Sequence, residues 1–314
     1  MLTTSLLQHL QKNLPYDDIL FVTREEYKDL EKIFPKKIQF EYLKAPYKTN
    51  SIINLSSRLA KRKIDIMLDL QENPTSILIS MLSRPRKKYI YKKEGLKRHF
   101  HIGSLSKLDT SHTIKKYYHA AERAWLIPRD SILIPPLLVP DFPAEKLLPS
   151  GSNLVILAGS GRYTKRWLPE YYVKLTNMLK QINKSVVFVG GNPDKELLLY
   201  IKSLGTSGIF MHPLPLYKIA QGINEADIVL GGDSGLTHIA WAFKKQIVFL
   251  AGGTHMCLGF FPFGNKVTIL EEDLPCRPCS LHGLSRCPQK HFNCMKSLTP
   301  ERVFTTLLAL WPPV

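Results

Sequence analysis

No stretch of this sequence approaches the roughly 18 consecutive apolar residues that a membrane-crossing helix needs. Nor does the N-terminus carry a basic leader followed by an apolar core. A spanning or exported chain is not expected; a cytoplasmic one is. Acidic residues are scarce: 26 Asp and Glu stand against 43 Lys and Arg, leaving a net charge of +17. That balance favours a phosphate-bearing partner, whether nucleic acid, anionic lipid, or a nucleotide-sugar with a phosphorylated acceptor. A lysine-rich proteome would produce the same balance without any function. Cysteine is absent before Cys257, and four of the five cysteines fall between Cys276 and Cys294. In a reducing compartment such clustering suggests metal ligation or local structure before disulfides. No short internal repeat or low-complexity run appears.

What is present is an ordinary globular composition, 44% hydrophobic and 22% charged, over 314 residues. Single cores usually split beyond roughly 250 residues, so two domains are expected. The first half alternates helix and strand: helix 3–14, strand 19–22, helix 25–33, helix 51–63 and strand 65–70. Arg84, Arg86, Lys87, Lys88, Lys92, Lys93, Lys97 and Arg98 interleave with Tyr89 and Tyr91 in a stretch that reads as a solvated loop or as a face for an anionic acceptor or membrane surface. Prolines at 128, 135, 136, 140, 143 and 149 mark an interdomain linker over about 128–150. Domains of 1–150 and 151–314 follow. In the second, strands 154–157, 186–189, 228–230 and 247–250 alternate with helices 169–182, 193–204, 216–224 and 235–243. This is the rhythm of a doubly wound α/β sheet, whose ligands bind beyond the carboxyl ends of the strands.

Two strand-to-helix junctions carry chemistry. After strand 154–157, Gly159, Ser160 and Gly161 let backbone N–H groups approach a ligand, and Arg162, Lys165 and Arg166 can neutralise a pyrophosphate. No Gly-Lys-Ser/Thr follows, so this is not a P-loop; an ordinary loop with solvated cations is the plainer reading. After strand 228–230, Asp233 and Ser234 precede a helix. Either would serve as N-cap, but capping needs only one. Ser234, Gly235 and their N–H groups can hold phosphate while Asp233 accepts from sugar hydroxyls, with His238 one turn inside. Beyond strand 247–250, Thr254 and His255 are candidate contacts for a nucleotide base.

Three motifs in order carry a resemblance. They are Gly159-Ser-Gly-Arg with Lys165-Arg-Trp-Leu-Pro169, then Gly232-Asp-Ser-Gly-Leu-Thr-His238, then the tail Leu274-Pro-Cys-Arg-Pro-Cys279 with Cys287-Pro288, Cys294-Met295 and Leu298-Thr-Pro-Glu-Arg-Val303. Together they resemble the bacterial lipopolysaccharide heptosyltransferases, glycosyltransferase family 9. The opening Leu2-Thr-Thr-Ser-Leu-Leu-Gln-His-Leu10 and Asp65-Ile-Met-Leu-Asp-Leu-Gln71 are similar to that family's N-terminal domain. The resemblance implies a GT-B architecture of two facing, doubly wound Rossmann-like domains. The C-terminal one would hold ADP-heptose and the N-terminal one a lipid A–core acceptor. It further implies inversion at the anomeric carbon, Lys165 on the donor phosphates, and Asp233, Ser234, Gly235 and His238 in the donor-binding turn. An enzyme on the cytoplasmic face of the inner membrane, peripheral on its anionic surface, is the matching location.

The start departs from the family pattern, in which a strand and a Gly-Asp loop precede the Leu-Thr-Thr-like helix start and the aspartate is the general base. Beginning at Met1-Leu-Thr-Thr, this sequence is expected to lack that strand and that carboxylate, with a cost in stability. Asp69, near Glu72 at a strand end, is the candidate left for the base; capping its own loop is the other reading. The spacing Cys276-x2-Cys279-x7-Cys287-x6-Cys294, with His282 and His291, suits a closed structural zinc or iron site. The transfer chemistry the resemblance implies requires no metal cofactor. The alternatives are a related transferase with another nucleotide-sugar or a protein acceptor, and a truncated relative that binds donor without turnover. Nucleic-acid binding, suggested by charge, lacks any recognised module and is not expected.

Overall fold

A computed structural model describes residues 1–14, 19–34, 38–93, 110–150 and 153–311. Two compact units divide it: the first draws on Met1–Gly95 and Ser111–Val139, the second on Pro140–Val314. The break after Val139 falls inside the proline-rich segment, which contains no helix or strand from residue 128 to 150. Among the described residues no helix is long and apolar enough to cross a membrane.

The first unit runs α1 (Thr3–Asn13), β1 (Leu20–Arg24), a 3-10 helix (Glu25–Ile33), β2 (Gln39–Leu43), α2 (Thr49–Lys61), β3 (Ile66–Asp69), α3 (Pro74–Leu82), β4 (Lys87–Ile90) and α4 (Thr113–Arg123). Its strands pair in parallel as two separate two-stranded sheets, β1 with β2 and β3 with β4; among the described residues no ladder joins them. Leu43, Ile52, Leu55, Leu59 and Ile79 form a core with Leu20 and Val22, in which α2 packs on β2 and α3 on α2 and β3. Elsewhere in the unit α1 packs on α4, where the Ser5 and Tyr118 hydroxyls meet at 2.6 Å.

The structure departs from the sequence expectation in several places here, and β2 and α4 are elements that the sequence reading did not name. Glu25–Ile33 is 3-10 rather than α-helical. Helix α3 is an unexpected element, begun by an Asn73 capping box and Pro74 at its first turn. Strand β4 lies within the cationic stretch read as a loop. Its lysines are compatible with an edge strand, where charge discourages further pairing. Lys97 and Arg98 lie outside the described residues.

The second unit contains β5 (Asn153–Leu157), α5 (Pro169–Gln181), β6 (Ser185–Val189), α6 (Lys195–Ser203), β7 (Ile209–Met211), α7 (Leu216–Glu225), β8 (Ile228–Gly232), α8 (Gly235–Ala242), β9 (Gln246–Ala251), β10 (Val267–Glu271), α9 (Asn293–Lys296) and α10 (Pro300–Leu310). All six strands are parallel, in the order β10-β9-β8-β5-β6-β7. Helices on both faces bury them, which is why β5, β6, β8 and β9 read as apolar runs. The C-terminal α10 packs on α5, burying Val303 and Leu307. From β5 the chain winds outward through β6 and β7, then crosses back to β8 on the other side of β5. The β5/β8 boundary is therefore the sheet's topological switch point, where neighbouring loops diverge and leave a crevice.

Candidate functional site

Both predicted junctions open at that crevice, one from β5 and one from β8. The β5 loop passes through Ser160, 6% exposed, into a 3-10 turn at Tyr163–Lys165. Arg166 Nε donates to the Ser160 carbonyl at 2.8 Å and holds the loop closed. The β8 loop approaches so closely that a Cβ on Gly232 would lie 2.9 Å from the Lys165 carbonyl oxygen; only glycine fits without a shift.

At the centre stands the Asp233 carboxylate. Its Oδ2 accepts from Lys165 Nζ at 3.0 Å and from the Thr254 hydroxyl at 3.1 Å, bringing together residues from the β5, β8 and β9 loops. Ser160 Oγ donates to the Asp233 carbonyl at 3.4 Å. Lys165 and Asp233 side chains are 15% and 16% exposed, so the pair is partly shielded yet open to a ligand. Ser234 is the N-cap of α8: its Oγ accepts from the Thr237 N–H at 3.4 Å. A Cβ on Gly161 or Gly235 would meet nothing within 4 Å, so both glycines border open space. His238 lies in the first turn of α8, its N–H on the Ser234 carbonyl and its ring 6.1 Å from that of Trp241.

This arrangement presents a cation, a helix N-terminus and small-residue backbone to an anion, while the carboxylate supplies an acceptor beside them. Thr254 is only 1% exposed, with its hydroxyl turned to Asp233. His255 Nδ1 accepts from the Cys257 N–H at 3.2 Å and so caps its own turn.

The remaining candidates sit apart from this centre. Asp69, 5% exposed, accepts from the Gln71 and Glu72 N–H groups at 3.0 and 3.1 Å and from the Ser76 hydroxyl at 2.9 Å. Its carboxylate ties β3 to the start of α3. The cysteines are all free. Cys276 Sγ is 3.9 Å from His291 Nε2, while Cys279 Sγ lies 3.4 Å from the Gly253 carbonyl. Burial pushes the Cys294 thiol up to about 11 and raises that of Cys279. Among the described residues no group of three or more His, Cys, Asp or Glu is arranged to hold a metal ion.

Sequence reasoning missed Arg277, whose side chain is 2% exposed and bonds to the Thr254 loop. It also missed Asp194, packed so tightly under the β5 loop that a Cβ on Gly159 would overlap it. Each lies in a segment read for something else, the first for cysteines and the second as helix.

A six-stranded parallel sheet with this constellation at its switch point defines a Rossmann-like domain. Comparison with known proteins identifies the class as glycosyltransferase, with GT-B structures as its neighbours. The family model of glycosyltransferase family 9 (heptosyltransferase) matches residues 52–287, and the chain belongs to that family. A lipooligosaccharide heptosyltransferase 2 of Campylobacter jejuni is 26% identical over 266 residues, covering 82% of this chain and 79% of the relative. The structure of E. coli ADP-heptose lps heptosyltransferase II has a TM-score of 0.73 at 17% identity, covering 98% of this chain and 94% of that one. E. coli heptosyltransferase WaaC with ADP has a TM-score of 0.70 at 16% identity, covering 99% and 95%.

Proposed function

We propose that the protein transfers heptose from ADP-heptose onto the inner core of lipopolysaccharide, inverting the anomeric centre. In this reading residues 151–314 bind the donor and residues 1–150 the acceptor. Lys165 faces the diphosphate. The α8 N-terminus, with Ser234 and Gly235, receives its oxygens, and Asp233 accepts from sugar hydroxyls. Ser160 and His238 complete the donor contacts, and Thr254 belongs to the site through its bond to Asp233. The observation that carries the reading is Asp233 held between Lys165 and Thr254 at the switch point.

The physical case is one of charge. As the glycosidic bond breaks, negative charge accumulates on the departing ADP. A fixed ammonium and helix-end N–H groups stabilise that state more than the ground state, without needing a metal. The names of the related proteins support heptose and ADP as the ligands. The excess of basic residues supports work at an anionic membrane surface, with the enzyme peripheral on its cytoplasmic face.

Thermal unfolding with ADP, UDP and GDP tests the donor assignment without any acceptor. A nucleotide at 100 times its dissociation constant stabilises by about 2.7 kcal/mol. Selective stabilisation by ADP, lost in Lys165→Ala, is the expected result. Equal response to all three nucleotides, or to none, would remove the ADP reading.

A further inference from the structure

Arg277 lies between two cysteines, but its guanidinium serves the donor loop. Nε donates to the Gly252 carbonyl at 2.7 Å, and Nη2 donates to the Thr254 carbonyl at 3.0 Å. Nη2 also pairs with Glu271 at 3.0 Å, and Nη1 donates to the Glu272 carbonyl. One planar group thus grips the backbone on both sides of Gly253. The Gly253 carbonyl accepts the Cys279 N–H at 3.0 Å, while its own N–H donates to Thr164 at 2.9 Å.

With its backbone tied at four points, the segment 252–254 has one orientation in which to present the Thr254 side chain. That orientation places the hydroxyl on Asp233 Oδ2, the same oxygen that meets Lys165. A continuous path therefore runs from Arg277 through the 252–254 backbone to Thr254, Asp233 and Lys165. The geometry calls for arginine: its rigid fork reaches three carbonyls and a carboxylate at once, whereas a lysine ammonium is a point charge on a flexible stem. A cation this buried needs pairing, and Glu271, 29% exposed, provides it.

We propose that Arg277 is a positioning residue of the donor site. It touches no substrate; it fixes the loop so that Thr254 holds the Asp233 carboxylate and leaves Lys165 directed at the donor diphosphate. This rests on the donor reading above.

Calorimetric titration of ADP into wild type, Arg277→Lys, Thr254→Val, the double variant and Glu271→Gln tests it, with Val303→Ala as a destabilised control in the core of α10. Arg277→Lys and Thr254→Val are each expected to weaken ADP binding about tenfold, and the double variant little more than either, because both break one link. Glu271→Gln, which loosens the guanidinium's anchor, weakens ADP by a smaller factor and stands in should Arg277→Lys fail to fold. Val303→Ala lowers the melting temperature with unchanged ADP affinity. Losses that multiply in the double variant, wild-type affinity in folded Arg277→Lys or Glu271→Gln, or an equal loss in Val303→Ala would overturn the proposal. A wild type that fails to bind ADP overturns the donor reading itself, and this proposal with it.

Discussion

Lys165 and Asp233 stand 68 positions apart in the sequence and 3.0 Å apart in the structure, on loops from adjacent strands. Neither charge is spare. Lys165 neutralises the Asp233 carboxylate, and Asp233 fixes an ammonium on a long, mobile side chain.

Non-additive mutations follow from that pairing. In the proposed donor site Lys165→Ala leaves Asp233 facing the phosphates alone, so ADP should lose both an attraction and the shielding of a repulsion. Asp233→Ala frees the lysine and should cost less. The double variant should bind ADP more tightly than Lys165→Ala does, with a coupling of about 0.5–3 kcal/mol. Thermal shifts across an ADP series measure all four proteins. Strict additivity would mean that the two groups act on the ligand independently.

Asp69 can be assigned a role by separating stability from turnover. Three hydrogen bonds converge on its carboxylate, and Asp69→Ala would strand two backbone donors and a hydroxyl at the start of α3. A loss of about 1–3 kcal/mol in urea unfolding is expected. If Asp69→Ala unfolds like wild type but no longer transfers sugar, the residue acts in catalysis instead.

The second unit was legible because its strands are buried on both faces: Leu154–Leu157, Val186–Val189, Ile228–Leu230 and Ile247–Leu250 have no polar side to mask them. Strand β7 was not, being three residues long beside Gly208. In the first unit, half-exposed β2 alternates polar and apolar residues, and β4 is hidden among lysines. The site divides in the same way. Lys165 and Asp233 stand beside small-residue turns at strand ends, a pattern that announces a ligand. Arg277 bonds mainly to backbone carbonyls, which leave no signature in the side-chain sequence.

Protection against hydrogen exchange should differ between the units. Among the described residues β1 has a ladder from β2 alone and β3 from β4 alone, whereas β5 is flanked by β6 and β8. Two-stranded sheets are marginal by themselves, and amides in regions of few buried contacts open first. Amides of Leu20–Arg24 and Ile66–Asp69 should exchange at least about tenfold faster than those of Leu154–Leu157. Equal protection would mean that the first unit opens only with the second.

Asp194 offers a test by pH. Burial raises its carboxyl above the usual aspartate value, against the opposing pull of the Gly191 N–H and the positive Arg166. A carboxyl whose folded value is raised stabilises the fold when protonated, and that contribution is lost as pH rises through the folded value. At neutral pH the wild type therefore carries an ionised group that folding has desolvated. Asp194→Asn removes the charge and keeps an oxygen to accept from Gly191, 3.3 Å away. The variant should be the more stable protein at about pH 7, and its advantage should shrink as pH falls toward the ordinary aspartate range, where both side chains are neutral. Paired urea unfolding curves over that range read the difference. An Asp194→Asn variant less stable at neutral pH, with the gap closing in acid, would mean that attraction to Arg166 outweighs burial and that the carboxylate braces the loop as an ion.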